Sequence, residues 1–308
     1  MSEHRLGSHV VKMTRPDKVL FPADGIRKQD IIDYYERIAD VMLPHIKDRP
    51  LMLQRFPNGI DETSFFQKNI SYYFPKWIKR TSVPKAGGKV THVICNDVST
   101  LLYLANLACI TPHIWLSRVP KLKYPDILIF DLDPPSTNFV PVRQTAFALR
   151  ELLESIGLKA YPMTTGSRGL HVSVPLNRDL NFDQVRAFAR QAAELLASRH
   201  PEQVTIAARK EQRRGLVYID VMRNAYAQTA VAPYALRANP GAPVATPLDW
   251  DELSAARLHS QHYNLKNIFR RIERNGDPWK SIWRQPQSLD RAEEKLKTLV
   301  SEEHRKVA

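Results

Sequence analysis

The chain has 308 residues, 43% hydrophobic and 25% charged, enough to bury the core of one large or two small domains of a soluble globular protein. No apolar run approaches the ~18 residues of a membrane span, and the opening MSEHRLGSHVVKM has no apolar h-region, which argues against a membrane protein and against secretion. Forty-five Lys and Arg against thirty-two Asp and Glu give a formal charge of +13 and a pI near 9.7, pointing to a polyanionic partner, nucleic acid ahead of an anionic membrane.

Residues 29–46 place Ile31, Ile32, Tyr35, Ile38, Ala39 and Met42 at helical spacing. Residues 91–109 read as a strand, THVICND, and then an apolar helix, STLLYLANLAC. Cys95 and Cys109 lie in these apolar surroundings without metal-ligand spacing and are expected to be buried thiols of a cytosolic protein. ILIFDLDPPS, at 127–136, is the most strand-like segment. VRQTAFALRELLESIG follows as an amphipathic helix with Gly157 as its stop. LKAYPMTT and LHVSVPL are strands around the turn GSRG, and Asn181 is placed to cap the helix FDQVRAFARQAAELLASR. QVTIAA and GLVYIDVM are strands across the polar loop RKEQRRG. LDWDELSAARL, NLKNIFRRIERNG and SLDRAEEKLKTLV are helical and charged. There is no internal repeat and no Gly/Ser linker. The order is α+β rather than regular βαβ alternation, and the hairpin around GSRG makes the sheet at least partly antiparallel.

On a strand, residues i and i+2 share a face, so Asp131 and Asp133 project together, opposite Leu128, Phe130 and Leu132. Close carboxylates repel, and hard divalent cations such as Mg²⁺ or Mn²⁺ relieve that repulsion. A solvated strand end is the plainer alternative. Asp220 interrupts an apolar strand in LVYIDVM, where a lone carboxylate needs a partner, either a cation or Arg223. Asp126 precedes the first strand with the wrong parity. Three acids on two strands suit a two-metal site for in-line attack at phosphorus. The turn TTGSRGLH offers the opposite chemistry: Gly166 and Gly169 permit close backbone approach to an anion, Thr165 and Ser167 carry hydroxyls, and Arg168 matches phosphate oxygens. His171 alternates outward from Leu170, Val172 and Val174, so it is not an obvious core residue. A glycine hairpin with a solvated Arg remains the alternative, and no Walker A pattern is present.

The order FDLDPP, TTGSRGLH, YIDVMRN and TAVAPYALRA resembles the polymerase domain of bacterial ligase D, the end-joining branch of the archaeo-eukaryotic primase superfamily. TRPDKVLFP, YYERIADVMLPHIKDRP, RFPNG, FFQKN and NGDPWKSIW extend the likeness over roughly residues 10–295. The resemblance implies a primase-polymerase fold: a central, mostly antiparallel, RRM-like sheet flanked by helices, with an N-terminal α/β module. Residues 1–308 would form a single catalytic domain, with the N-terminal module at about 1–115, the core at about 116–245 and a helical part at about 246–308. It implies that Asp131, Asp133 and Asp220 hold two divalent metal ions (Mn²⁺ or Mg²⁺), and that His113, Thr165, Arg168, His171 and Arg237 bind the incoming nucleotide. Ser167 in the turn and Arg55 belong with that group. Lys18 and Lys28 match residues that grip a 5′-phosphate, and Phe65 and Phe66 match an aromatic pair against the template. Read without the family, the lysines could be solvated and the Phe pair could be core.

The implied activity is template-directed nucleotidyl transfer: extension of a 3′-OH and gap filling at double-strand breaks in bacterial non-homologous end joining, with NTPs preferred over dNTPs. The expected partners are DNA bearing a 5′-phosphate, Ku and an ATP-dependent DNA ligase, with no membrane, in the nucleoid-associated cytoplasm. De novo priming and a non-catalytic end-binding module are the alternatives. Two positions depart from the family pattern: Thr165 stands where Ser is usual, and Gln54-Arg55 where many relatives have Lys-Arg. The latter removes a charge and is expected to weaken nucleotide binding without abolishing it. No Lys-x-Asp-Gly ligase motif occurs, so this stretch by itself is not expected to seal a nick.

Overall fold

A computed structural model describes residues 3–6 and 9–307 and divides the chain into two compact units. The first comprises Met1–Pro120, Thr229–Thr246 and Tyr263–Gly276. Its sheet runs Thr229–Val231, Cys109–Trp115, Leu51–Arg55, Phe65–Gln67, antiparallel throughout. The 29–46 periodicity becomes the helix Lys28–Ile46, whose Ile31, Ile32, Tyr35, Ile38, Ala39 and Met42 are all buried. Asp30 anchors its start by accepting the Arg27 N–H at 2.7 Å. A shorter helix, Val98–Asn106, packs against it, capped by the Asp97 carboxylate on the Thr100 N–H at 2.8 Å. Cys95 and Cys109 are buried and free, as expected.

The second unit comprises Lys121–Gln228, Pro247–His262 and Asp277–Ala308. Its elements follow the order strand Ile127–Asp133, helix Val140–Ser155, strands Tyr161–Thr164 and Leu170–Pro175, helix Phe182–Arg199 and strand Val217–Asp220. Across the sheet, Val217–Asp220 lies next to Ile127–Asp133, then Leu170–Pro175, then Tyr161–Thr164, every pair antiparallel. This is a βαββαβ, RRM-like core. Short strands Val204–Thr205 and Thr246–Pro247 complete a six-stranded sheet at its two edges. Leu128, Phe130, Leu132, Leu170, Val172 and Val174 are wholly buried, and both helices pack on this sheet. Asn181 caps the second helix as expected, accepting the N–H groups of Asp183 and Gln184, while the Gln184 side chain accepts the Asn181 N–H.

One strand is shorter than its sequence promised. Of QVTIAA only Val204 and Thr205 pair, parallel to Val217 and Tyr218. They form a sheet edge, Ile206 is exposed, and the chain turns away as Thr205 Oγ1 accepts the Ala207 N–H. Among the described residues no helix is long and apolar enough to cross a membrane.

Candidate active site

Strand register sets the acids of the second unit in one row. Asp131 lies directly opposite Asp220 on one neighbouring strand and His171 on the other, while Asp133, two residues along, lies opposite Tyr218. Directly opposed residues share a sheet face, so Asp220, Asp131 and His171 sit side by side, and Asp133 projects from that same face. Asp131 is buried. Its Oδ1 lies 3.6 Å from His171 Nε2, and its Oδ2 accepts Arg223 Nε at 3.2 Å. Burial pushes its carboxyl up, but the charges and hydrogen bonds of His171 and Arg223 outweigh that and hold it below the ordinary range. Asp133 goes the other way: burial, then the negative charge of Asp131, raise it against the opposing pull of Arg213.

Two expectations need correction here. His171 is not outside the core: it is 3% exposed, because a strand face that carries the acids is itself covered, and its Nδ1 has no hydrogen-bond partner. Arg223 pairs with Asp131, not Asp220. Asp220 instead accepts the Met222 N–H at 2.7 Å where the strand ends. Among the described residues no three His, Cys, Asp or Glu side chains converge closely enough to hold an ion in these rotamers. The donor set still fits hard cations. It offers three carboxylates on adjacent strands, one of them raised by burial and then by its neighbour's charge, beside a buried imidazole nitrogen without a partner.

The GSRG turn abuts this row. A Cβ on Gly169 would lie 2.4 Å from the Leu132 carbonyl oxygen and 3.7 Å from Asp131 Oδ1. Glycine is therefore required here for close approach to the acid-bearing strand. Gly166 takes φ +65° in the turn. Thr165 is buried. Its N–H and Oγ1 both donate to the Gly169 carbonyl at 3.1 Å, and its Oγ1 accepts the Ser167 N–H at 3.3 Å. Ser167 is half-buried and Arg168 is exposed at the tip. Two residues that the sequence reading missed hold the turn from behind. Ser260 Oγ donates to the Gly169 carbonyl at 2.7 Å, and Gln261 Nε2 donates to the Ser167 carbonyl at 2.9 Å. They come some ninety residues later, in a polar loop with no periodic or motif signal.

The other candidate residues belong to the first unit. Phe65 and Phe66 are 44% and 54% exposed, so they are not core. The Phe66 and His113 rings meet edge to face at 5.8 Å, and His113 Nε2 lies 3.5 Å from Gln54 Oε1. Arg55 lies among aromatic residues: its guanidinium sits 5.1 Å from the Phe65 ring and donates to Gln67 Oε1 and to the Tyr73 hydroxyl. Arg237 is half-buried, and its N–H donates to the Pro243 carbonyl at 2.7 Å. Lys18 reaches Asn58 Oδ1 at 2.8 Å. Lys28 is buried rather than solvated, its Nζ donating to the Thr14 and Asn106 carbonyls. Burial, then the charges of Lys18 and Arg15, lower its pKa to about 8. That coupling gathers Arg15, Lys18 and Lys28 into one cationic cluster at the start of the long helix, with Arg15 a member that the sequence did not single out.

Comparison with known proteins now decides the family. The model of the LigD primase-polymerase domain matches residues 27–279. The chain belongs to the LigD primase-polymerase domain family. It is 35% identical over 275 residues to the multifunctional non-homologous end joining protein LigD of Mycolicibacterium smegmatis, covering 87% of this chain and 35% of that protein. Against the bifunctional LigD of Bacillus subtilis it is 31% identical over 279 residues, covering 90% of this chain and 45% of the relative. It thus spans well under half the length of these relatives. The polymerase domain of Mycobacterium tuberculosis ligase D, solved in complex with DNA, superposes with a TM-score of 0.85 at 34% identity, covering 90% of this chain and 99% of that one. Membership in this primase-polymerase family makes the chain a nucleotidyltransferase, and the mixed helices and antiparallel sheets are those of the LigD polymerase domain.

Proposed function

We propose that this LigD primase-polymerase domain extends a DNA 3′-hydroxyl against a template and fills gaps at double-strand breaks in bacterial end joining, with ribonucleotides preferred. The observation that carries this reading is the register of Asp220, Asp131 and His171 in one row, with Asp133 two residues along. In this reading Asp131, Asp133 and Asp220 hold two divalent cations, Mn²⁺ or Mg²⁺, which when bound supply Lewis-acid charge to the reacting hydroxyl and the leaving pyrophosphate. Arg223 and His171 keep the Asp131 carboxyl ionised, and therefore ready to ligate, in spite of its burial. Thr165, Ser167, Arg168, His171, His113, Arg55 and Arg237 bind the nucleotide. Ser167 Oγ and Arg168 of the braced turn donate to phosphate oxygens, while the Thr165 hydroxyl, which donates to the Gly169 carbonyl, holds the turn in shape beside them. A guanidinium at an exposed tip suits that role because it stays charged and meets two phosphate oxygens at once.

Lys18 and Lys28 take the downstream 5′-phosphate. The support is their closeness to Arg15 at a helix N-terminus, where like charges are costly unless an anion joins them. Phe65 and Phe66, both exposed, with Phe66 beside His113, lie against the template. Residues 1–308 act as a single catalytic domain in the nucleoid-associated cytoplasm, alongside Ku and an ATP-dependent DNA ligase. The relatives are named for non-homologous end joining, which supports the process in which these partners would be met.

The test is extension of a gapped duplex, with and without the downstream 5′-phosphate, given each nucleotide type in Mg²⁺ or Mn²⁺. Faster extension with the phosphate, and with NTPs over dNTPs, is expected. Indifference to the phosphate would remove the end-joining assignment, and equal use of both nucleotides would remove the ribonucleotide preference.

A further inference from the structure

From Thr63 to Asn96 the sequence carries six cations (Lys68, Lys76, Lys79, Arg80, Lys85 and Lys89) and no Asp or Glu. Tyr72 and Tyr73 stand in this stretch with no part in the function above. Tyr72 is 100% exposed and Tyr73 47%. Their rings meet edge to face at 5.6 Å, so each leaves a flat face to solvent. The Tyr73 hydroxyl accepts Arg55 Nη1 at 3.1 Å, and the same guanidinium lies 5.1 Å from the Phe65 ring. Tyr72, Tyr73, Arg55 and Phe65 therefore form one surface of π faces around a cation, while Phe66, the next residue on the strand, projects to the other sheet face beside His113.

The loop that presents the two tyrosines is fixed from behind. Gln67 Nε2 donates to the Asn69 carbonyl and to Ser71 Oγ, the Ile70 N–H donates to the Thr91 carbonyl, and the Thr91 N–H donates to Asn69 Oδ1. Ordering these rings on binding is correspondingly cheap.

We propose that Tyr72 and Tyr73 prolong the surface that begins at Phe65 and Arg55 into a stacking platform for the unpaired bases of single-stranded DNA, the template strand beyond the paired end. This rests on the reading of Phe65 and Phe66 as template contacts. The large hydrophobic side chains exposed in this stretch are all aromatic, with no aliphatic among them, which suits bases better than a protein surface. The acid-free run of cations suits the backbone that links those bases.

Fluorescence anisotropy with an oligo(dT) single strand tests the platform across a salt titration. Tyr72→Ala, whose side chain is fully exposed and cannot matter to folding, and Tyr73→Ala should each weaken binding about fivefold or more. The slope of log affinity against log salt should stay unchanged, since no charge is lost. Tyr72→Phe, which keeps the ring, should bind as the parent does. Wild-type affinity in Tyr72→Ala, or equal loss in Tyr72→Phe, overturns the proposal. Extension of the gapped duplex by the unmutated chain, run alongside, separates the two ideas. Extension with no effect of Tyr72→Ala on binding sinks the platform alone, whereas lost binding without any extension sinks the polymerase reading and leaves the platform standing.

Discussion

Lys28 carries its ammonium into a pocket of oxygens, with Lys18 and Arg15 close by. Burial and those charges bring its pKa from 10.5 to about 8, so the folded protein gives up this proton before the unfolded chain does. Between those two values the unfolded state binds more protons, and the cost of burying the charge is relieved as pH rises through that window. End recognition has the opposite sign, because a neutral amine no longer attracts phosphate. The affinity ratio of 5′-phosphorylated over 5′-hydroxyl gapped duplex is expected to fall from about pH 7 to about pH 9. In Lys28→Gln the ratio should be low and nearly flat, and an unchanged pH profile would take Lys28 out of the phosphate site. Gly169 makes a steric prediction. Its Cβ would meet the Leu132 carbonyl oxygen at 2.4 Å, so Gly169→Ala must push two paired strands apart. A loss of about 1–3 kcal/mol, read from the urea midpoint, is expected for such overpacking. An unshifted midpoint would show that the turn has room to move.

At the scale of elements, hydrophobic period carried most of the information. Ile31, Ile32, Tyr35, Ile38, Ala39 and Met42 marked a helix whose buried face they now form, and Asn181 marked a helix start that its side chain caps. Because Asn181 satisfies two N–H groups, Asn181→Ala should cost about 1 kcal/mol of stability. Chemical denaturation would measure this, and no loss would mean that water caps the helix equally well. Parity on the Ile127–Asp133 strand put Asp131 and Asp133 on one face before any partner was known. Parity says which side chains share a face and nothing about what covers it. For that reason His171 was no obvious core residue in sequence and is buried in the fold. The same gap made Asp220 the nearer candidate partner for Arg223, whereas Arg223 pairs with Asp131 on the neighbouring strand. Ser260 and Gln261 left no trace at all, since a single hydrogen bond to a distant carbonyl imposes no pattern on the residues around it.

For the whole molecule, a formal charge of +13 and a partly buried acidic row serve different ends. Excess Lys and Arg draw in a polyanion, while the acids, clustered against their own repulsion, need cations to be useful. The α+β order was readable from strand and helix patterns. The return of residues 229–246 and 263–276 to the first unit was not: the short pieces of 229–246 between prolines carry too little period, and the period of 263–276 marks a helix without showing what it packs on. The central claim is that Asp131 and Asp220, opposed across two strands, carry nucleotidyl transfer. Primer extension on a 5′-phosphorylated gapped duplex, comparing the unmutated chain with Asp131→Ala and Asp220→Ala in Mn²⁺, tests it most directly. The account predicts extension by the unmutated chain and a loss of about 100-fold or more in each variant, with gapped-duplex binding retained. Extension by either variant at the unmutated rate would contradict it.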